Sequence, residues 1–126
     1  MQYLLLIYTA ERPDGPPTDT MLSESQEYDR FTETLVERGQ FHGGQALQPT
    51  RAATTVQVRD GRTLTTDGPY AETKEALAGY YLIEANDLDE AIEAAARIPG
   101  ARHGSIEIRP ILDRPSMAAS AAAAGG

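Results

Sequence analysis

Two segments of this chain predict β-strands that are apolar on both sides. Residues 2–8 carry Leu, Ile and Tyr with almost no polar alternation, and residues 79–85 repeat the pattern. Strands with this composition are buried on both faces of their sheet. We therefore expect both segments to be central strands, and we expect each face of the sheet to need a cover.

The helices are predicted from their end signals. Ser23 and Gln26 have the spacing of a capping box, and Gly39 is a typical C-terminal glycine, so a first helix is expected between them after a Pro-rich loop over residues 9–20. A second helix is expected to begin at Asp87, with Glu90 completing the cap, and to end before residues 99–100.

Four more strands are predicted beside the two apolar ones. Residues 40–47 are interpreted as a strand that Gly43 and Gly44 interrupt with a bulge or a close backbone approach. The pair Asp60 and Gly61 favours a type I′ turn, which makes a hairpin of the segments on either side and sets Arg59 opposite Arg62. A half-exposed strand is predicted over residues 105–111.

Composition limits the function classes. The 126 residues are enough for one domain, and 19 acidic against 11 basic residues give a net charge of −8, which disfavours nucleic acid and anionic membrane as partners. No cysteine is present and only two histidines occur, so we expect no metal site and no cofactor. The N-terminal apolar run is too short to span a membrane and lacks the basic and cleavage regions of a signal peptide, so a cytoplasmic protein is predicted.

The order of elements predicts an α+β architecture. Strand, helix, strand, inserted hairpin, strand, helix, strand is the split βαβ pattern, in which one sheet carries both helices on one face. The other face is then expected to pack on a second copy, giving a homodimer with a pocket between sheet and helices or at the dimer seam. The domain is expected to span residues 1–113, and the Ala- and Gly-rich residues 114–126 are expected to be a disordered tail.

The chain resembles a known family over about residues 1–112. The segments MQYLLLIY, TTVQVRDGRTLTTDGPYAETKEALAGYYLIEANDLDEAIEAAARIPGA and GSIEIRP are similar to the DGPF subgroup of YCII-related domain proteins, with Tyr70 in place of the phenylalanine. The resemblance implies a ferredoxin-like βαββαβ fold with an inserted β-hairpin, forming a dimeric α/β-barrel. It also implies frequent gene proximity to extracytoplasmic-function sigma factors, a His and Asp pair in the cleft of related domains, and a distant dehydrochlorinase relative that acts on a hydroxyquinol-type ring.

The loop after the hairpin collects the polar candidates for a site. We name residues 67–75 the signature loop. Asp67 either caps its own turn or, held rigid by residues 68–69 at a cleft, orients an imidazole or takes a proton itself. Lys74, the only lysine, either pairs with a neighbouring carboxylate or neutralises an oxyanion. Ligand-binding candidates are Tyr8, Tyr70, Glu72, Lys74, Glu75 and Arg109.

The histidines differ in their surroundings. His42 lies beside Gly43 and Gly44 in a predicted strand, where its side chain either faces a cleft as a catalytic group or has no such role. His103 lies in a glycine-bounded turn, where an exposed imidazole without a function is the favoured interpretation.

Two function classes stay open for the protein as a whole. One is a cofactor-free acid/base lyase, isomerase or hydrolase acting on a small carbonyl or aromatic molecule. The other is a non-catalytic small-ligand-binding or regulatory module associated with a sigma factor.

Overall fold

The order of elements agrees with the predicted α+β architecture. The structure is a computed structural model that describes residues 1–12 and 14–113, so the predicted tail over 114–126 lies outside the described residues. The described elements are β1 (Gln2–Thr9), α1 (Asp19–Glu37), β2 (Phe41–Ala46), β3 (Thr54–Arg59), β4 (Arg62–Asp67), β5 (Ala76–Glu84), α2 (Leu88–Ala96) and β6 (Ser105–Pro110), with short 3₁₀ turns at Thr50–Ala52 and Pro99–Arg102.

Four strands form one sheet in the order β2-β5-β1-β6, with every neighbouring pair antiparallel. This order and the two helices make a ferredoxin-like α+β fold. The two doubly apolar strands, β1 and β5, take the centre, as their composition predicts. Strands β3 and β4 form a separate two-stranded hairpin that is inserted between β2 and β5.

The core lies between the sheet and the two helices. Alternate residues of β1 point into it, since Tyr3, Leu5 and Ile7 are buried while their neighbours are half-buried. The same cluster contains Phe31 and Leu35 from α1 and three alanines of α2. The small alanine side chains let α2 approach the sheet closely, and the aromatic and branched residues of α1 fill the wider space.

The opposite side of the sheet, which we name the open face, is also apolar. Leu4 and Leu6 of β1 stand opposite Leu82 and Tyr80 of β5, and all four are half-buried. These side chains alternate with those of the core, so they point away from both helices. The prediction that both strands are apolar on each face is confirmed, whereas a second copy covering the open face stays a prediction.

The start of α1 corrects the sequence prediction. The helix begins at Asp19, four residues before Ser23, because Thr18 is its N-cap: the Thr18 hydroxyl accepts the Met21 backbone N–H at 3.2 Å, and the Met21 sulfur accepts the Thr18 N–H at 3.3 Å. A methionine sulfur in place of the usual Glu or Gln side chain hides this cap from the sequence pattern. The C-terminal glycine is confirmed, since Gly39 has a φ of +69°.

The other local signals are also confirmed. Asp60 and Gly61 have φ angles of +51° and +74°, as a type I′ turn requires, and the hairpin sets Arg59 opposite Arg62. Asp87 caps α2 by accepting the Glu90 backbone N–H at 2.9 Å. None of the described helices is both long and apolar enough to cross a membrane.

Candidate functional site: a cavity between the first helix and the sheet

A cavity of about 550 Å³ lies between α1 and the helix-covered face of the sheet. Its apolar wall includes Ile7, Phe41 and Ala78 from three different strands, and its mouth is formed by the segments that follow β1 and β2. Ligand sites for small molecules are concave, mostly apolar and of this size. The cavity is therefore the main candidate site among the residues that the structure describes.

One face of α1 gives the cavity a row of polar groups, and further polar groups come from the segments after β1 and β2. Glu24, Tyr28 and Thr32 are spaced four residues apart, so they form a row along the helix, which we name the polar stripe. Each member has a partner across the cavity. Glu24 meets the imidazole of His103, Tyr28 meets the backbone N–H of Gly100, and Thr32 meets the hydroxyl of Tyr81. The stripe thus connects α1 to β5 and to the turn before β6.

Glu24 and His103 form a carboxylate–imidazole pair at this cavity. His103 Nε2 lies 3.0 Å and 3.1 Å from the two carboxylate oxygens of Glu24. An ionised carboxylate can only accept, so Nε2 carries the hydrogen and Nδ1 is left as the basic nitrogen of the neutral ring. The Glu24 side chain is 12% exposed and that of His103 is 49% exposed, so the carboxylate is held inside while the imidazole reaches solvent.

Two partly buried tyrosines, Tyr28 and Tyr81, line the cavity. Burial raises the pKa of each above the ordinary value of 10.0, so both phenols are neutral near pH 7. The Tyr28 hydroxyl accepts the Gly100 N–H at 3.1 Å, and the Tyr81 hydroxyl lies 2.8 Å from the Thr32 hydroxyl. The Tyr81 ring also packs edge-on against Phe31, with ring centroids 5.2 Å apart, which fixes its position in the cavity wall.

Hydrogen bonds and an ion pair join two loops at the mouth of the cavity, the one after β1 and the one after β2. The Glu11 carboxylate accepts both the backbone N–H of Thr50, at 2.6 Å, and its hydroxyl, at 2.8 Å. These two hydrogen bonds lower the pKa of Glu11 below its ordinary value of 4.5. An ion pair between Asp14 and Arg51 at 2.6 Å joins the same two loops. The entrance is therefore shaped by side-chain contacts between segments that are far apart in the sequence.

His42 lies on the other side of the sheet. Its Nε2 is 3.9 Å from Glu84 Oε2, and Glu84 follows the core residue Ile83 on β5, so it belongs to the open face. His42 does not line the cavity. Its catalytic role stays a prediction, one that needs a site on the open face.

The signature loop is exposed and does not line the cavity. Asp67 ends β4 opposite Thr54, and the turn after it is held by backbone atoms, since the Gly68 N–H donates to the Ala53 carbonyl at 2.8 Å. Tyr70 is 83% exposed. Glu72 and Lys74 are exposed, and within residues 1–12 and 14–113 Lys74 forms no ion pair.

The remaining predicted ligand-binding residues lie along the open face. Glu75 accepts a hydrogen bond from the Ser105 hydroxyl at 3.2 Å, and Ser105 stands opposite Tyr8, so the end of the signature loop is attached beside Tyr8. Arg109 stands opposite Leu4 and pairs with Glu107 at 2.9 Å. The structure thus brings Tyr8 and Glu75 to one end of the open face and keeps them apart from the cavity.

The sequence prediction missed the residues that line the cavity. His103 is exposed, as predicted, but no function was expected for it, and Tyr28 was not among the predicted site residues. The four-residue spacing of the polar stripe was the available signal, but its partners His103 and Tyr81 lie 79 and 49 residues away along the chain. Within the described part of the chain, no group of three or more His, Cys, Asp or Glu side chains could hold a metal ion.

Fold and cavity together define a ferredoxin-like α+β protein with a small-molecule-sized cleft between helix and sheet. The model of the YCII-related domain matches residues 1–114, so the chain belongs to the YCII-related domain family. The finer assignment to the DGPF subgroup stays a prediction. A relative in Rhizobium meliloti (strain 1021), itself an uncharacterised protein, is 45% identical over 78 residues, which are 60% of this chain and 63% of that relative.

Solved structures share the fold, and one of them is 5-chloro-2-hydroxyhydroquinone dehydrochlorinase from Burkholderia phenoliruptrix AC1100 in complex with 2,5-dihydroxybenzoquinone. It superimposes with a TM-score of 0.51 over 92% of this chain and 98% of that chain, at 13% sequence identity. At this identity the likeness establishes the fold, and chemistry has to be argued from the residues of this chain.

Proposed function

We propose that this protein is a cofactor-free acid/base enzyme, a lyase, isomerase or hydrolase, that binds a small carbonyl or aromatic molecule in the cavity between α1 and the sheet. The observation that carries the proposal is the Glu24–His103 pair on the wall of a cavity of small-molecule size. A carboxylate that accepts from one imidazole nitrogen fixes the ring and stabilises its protonated form, which prepares the other nitrogen for proton transfer. A cytoplasmic location stays a prediction.

The cavity wall suits a flat, partly apolar ligand. Ile7, Phe41 and Tyr81 contribute apolar or ring surface, while polar groups come from α1, from the turn that holds His103 and from the segments at the mouth. Such a division lets apolar contacts supply affinity and lets a few polar groups orient the reacting atoms. A small ring with oxygen substituents meets both requirements.

The structural neighbour supplies the first probe. That protein is named for a hydroxyhydroquinone substrate and was solved with 2,5-dihydroxybenzoquinone, a flat ring that carries both carbonyl and hydroxyl oxygens. We therefore choose 2,5-dihydroxybenzoquinone as the test ligand for this chain. The support is analogy of fold combined with a cavity of matching chemistry.

The test compares wild type with His103→Gln and a matched control. Isothermal titration with 2,5-dihydroxybenzoquinone at pH 7 is expected to show binding to wild type, and thermal unfolding is expected to shift upward with ligand concentration. His103→Gln keeps a donor for Glu24 but removes the basic nitrogen. It is expected to retain the fold and to abolish proton exchange from an enolisable probe such as 4-hydroxyphenylacetone, followed by NMR in D₂O.

Arg102→Ala is the control. Arg102 precedes His103 and pairs with Glu27 at 2.8 Å, yet it does not line the cavity, so this substitution removes an exposed ion pair of similar type and keeps both members of the Glu24–His103 pair. It is expected to leave binding and exchange unchanged. Equal exchange by wild type and His103→Gln would refute the acid/base role.

A second candidate function is favoured by the exposure of the signature loop. Asp67, Tyr70 and Lys74 are exposed and do not line the cavity, which leaves them free to contact another molecule. In this alternative the protein is a ligand-binding or regulatory module, and the loop contacts a partner such as a sigma factor. Asp67→Asn tests whether the loop takes part in the cavity chemistry: because Asp67 does not line the cavity, proton exchange is expected to be unchanged, and lost exchange would assign Asp67 to catalysis.

We also propose that the chain forms a homodimer through the open face. Leu4, Leu6 and Leu82 form a continuous apolar strip on that face, and surfaces of this kind in soluble proteins are commonly interfaces. Light scattering after size-exclusion chromatography is expected to give twice the chain mass of 13.6 kDa. Leu6→Asp, which puts a charge in the strip, is expected to give a monomer, and a wild-type monomer at micromolar concentration would refute the proposal.

A further inference from the structure

Tyr28 and Tyr81 lie at the same cavity but use their hydroxyl hydrogens differently. A tyrosine hydroxyl has one hydrogen to donate and can also accept. The Thr32 hydroxyl donates its only hydrogen to the Tyr28 backbone carbonyl at 2.9 Å. In its contact with Tyr81 at 2.8 Å, Thr32 must therefore accept, and the Tyr81 hydrogen is used.

The hydroxyl hydrogen of Tyr28, unlike that of Tyr81, is not donated to a neighbouring residue. The Tyr28 oxygen accepts the Gly100 backbone N–H at 3.1 Å, and a backbone N–H can only donate. Within residues 1–12 and 14–113, the Tyr28 hydroxyl forms no hydrogen bond in which it donates. Tyr28 therefore brings a spare donor, held in place by the main chain, to a partly enclosed position.

The surroundings of Gly100 show where this donor lies. A Cβ atom added to Gly100 would lie 2.7 Å from the Tyr28 hydroxyl oxygen, 3.3 Å from Ile7 Cγ2 and 3.4 Å from Thr9 Cγ2. Ile7 and Thr9 both line the cavity. The hydroxyl therefore lies where α1, β1 and the 3₁₀ turn meet at the cavity wall, and only glycine at position 100 leaves room for it.

We propose that the Tyr28 hydroxyl is the oxyanion donor of this site and that the ligand places a carbonyl oxygen on it. This rests on the proposed function, in which His103 is the base. His103 Nδ1 takes a proton from the carbon next to the carbonyl, the electron pair of that C–H bond forms the C=C bond, and the carbonyl π pair moves to the oxygen. The product of the step is an enolate and an imidazolium, with no oxidant or reductant involved.

The neutral phenol suits this role. Because burial raises the pKa of Tyr28, the hydroxyl keeps its hydrogen in the pH range where an imidazole is a base. A fixed donor aimed at an oxygen that gains negative charge stabilises the charged state more than the neutral carbonyl. Glu24, which holds the base His103, and Tyr28 are one helical turn apart, so the holder of the base and the donor occupy neighbouring positions of the polar stripe.

The two tyrosines form a matched pair for the test. Tyr28→Phe and Tyr81→Phe each remove one partly buried hydroxyl at the cavity and keep the ring, but only the first removes a spare hydrogen. Titration of wild type and both variants with 2,5-dihydroxybenzoquinone is expected to show affinity reduced roughly tenfold by Tyr28→Phe and by less than about threefold by Tyr81→Phe. Thermal unfolding checks that both variants are folded.

A spectroscopic readout separates the donor role from a structural one. The visible absorption band of bound 2,5-dihydroxybenzoquinone is expected to shift from its position in buffer, because a hydrogen bond to an oxygen stabilises the charge there. Tyr28→Phe is expected to reverse most of that shift, and Tyr81→Phe is expected to keep it.

The outcomes distinguish this proposal from the function on which it rests. If wild type binds the probe and Tyr28→Phe binds with the same affinity and the same band, the oxyanion role is refuted and the proposed function stands. If both variants lose affinity equally, the hydrogen assignment is wrong. If wild type does not bind the probe, the proposed carbonyl site is refuted together with the donor role.

Discussion

Gly44 is the position where one added methyl group tests the cavity wall most directly. A Cβ atom built on Gly44 would lie 2.8 Å from the backbone oxygen of Tyr80 and 2.9 Å from Cδ1 of the Tyr81 ring. The oxygen belongs to a central strand and the ring is held by Phe31 and Thr32, so neither can move away freely. Overpacking of this kind costs roughly 1–3 kcal/mol of unfolding free energy.

The neighbouring glycine gives the control. A Cβ atom on Gly43 would meet nothing within 4 Å, so Gly43→Ala adds the same methyl group to the same strand without a clash. Alanine also reduces the freedom of the unfolded chain, which makes Gly43→Ala neutral or stabilising by up to about 1 kcal/mol. The comparison of the two variants isolates the contact with Tyr80 and Tyr81.

The assay is urea or thermal unfolding followed by circular dichroism. For a domain of this size about 1 kcal/mol shifts the melting temperature by roughly 4 °C, so Gly44→Ala is expected to melt roughly 4–12 °C below wild type while Gly43→Ala does not. Gly44→Ala should also weaken ligand binding, because relief of the clash has to displace the Tyr81 ring. Equal stability of the two variants would refute the packing argument.

Two further predictions concern the core and the mouth of the cavity. Leu35→Ala is expected to lower the unfolding free energy by roughly 2–5 kcal/mol because Leu35 is fully buried, whereas Val36→Ala, next to it and 57% exposed, is expected to change it by less than about 0.5 kcal/mol; denaturant titration tests both. The pKa of Glu11 is lowered below 4.5 in the folded state by its hydrogen bonds from Thr50, so its contribution to stability is present above the unfolded pKa and is lost as the pH falls through the folded pKa. Glu11→Gln is expected to flatten the fall in melting temperature on acidification below pH 4.5, and an unchanged acid profile would contradict this.

The fold follows from local signals that the sequence contains in full. The doubly apolar composition of residues 2–8 and 79–85 identifies the two central strands, because a strand covered on both faces has no polar side. Asp60 and Gly61 determine the hairpin, since few residues tolerate two successive positive φ angles. The start of α1 was misplaced for the opposite reason: the sulfur of Met21 takes part in the cap, and no propensity rule assigns methionine that role.

The site depends on contacts between distant segments, so most of it was not predictable. The polar stripe can be found on α1 by spacing, but Glu24 becomes a candidate only because His103 reaches it from the turn before β6. Asp67 and Lys74 were predicted as site residues because charged residues cluster within one loop. Local clustering indicates a site when the loop folds over a cavity, and this loop does not line the cavity.

One extra residue in β2 decides which histidine faces the cavity. Phe41 stands opposite Ile83 and Gly44 stands opposite Tyr81, so both belong to the helix side although they are three positions apart, an odd spacing that a regular strand would split between the two faces. The bulge between Phe41 and Gly43 absorbs the difference. Because of the bulge, Gly44 lies at the cavity wall, where the absence of a side chain leaves room for the Tyr81 ring. His42 lies beside Glu84 on the open face. The sequence contains the glycines that permit a bulge, but its position is set by pairing with β5. For this reason the histidine that looked catalytic from its neighbours lies on one face, and the chemistry proposed here depends on His103 on the other.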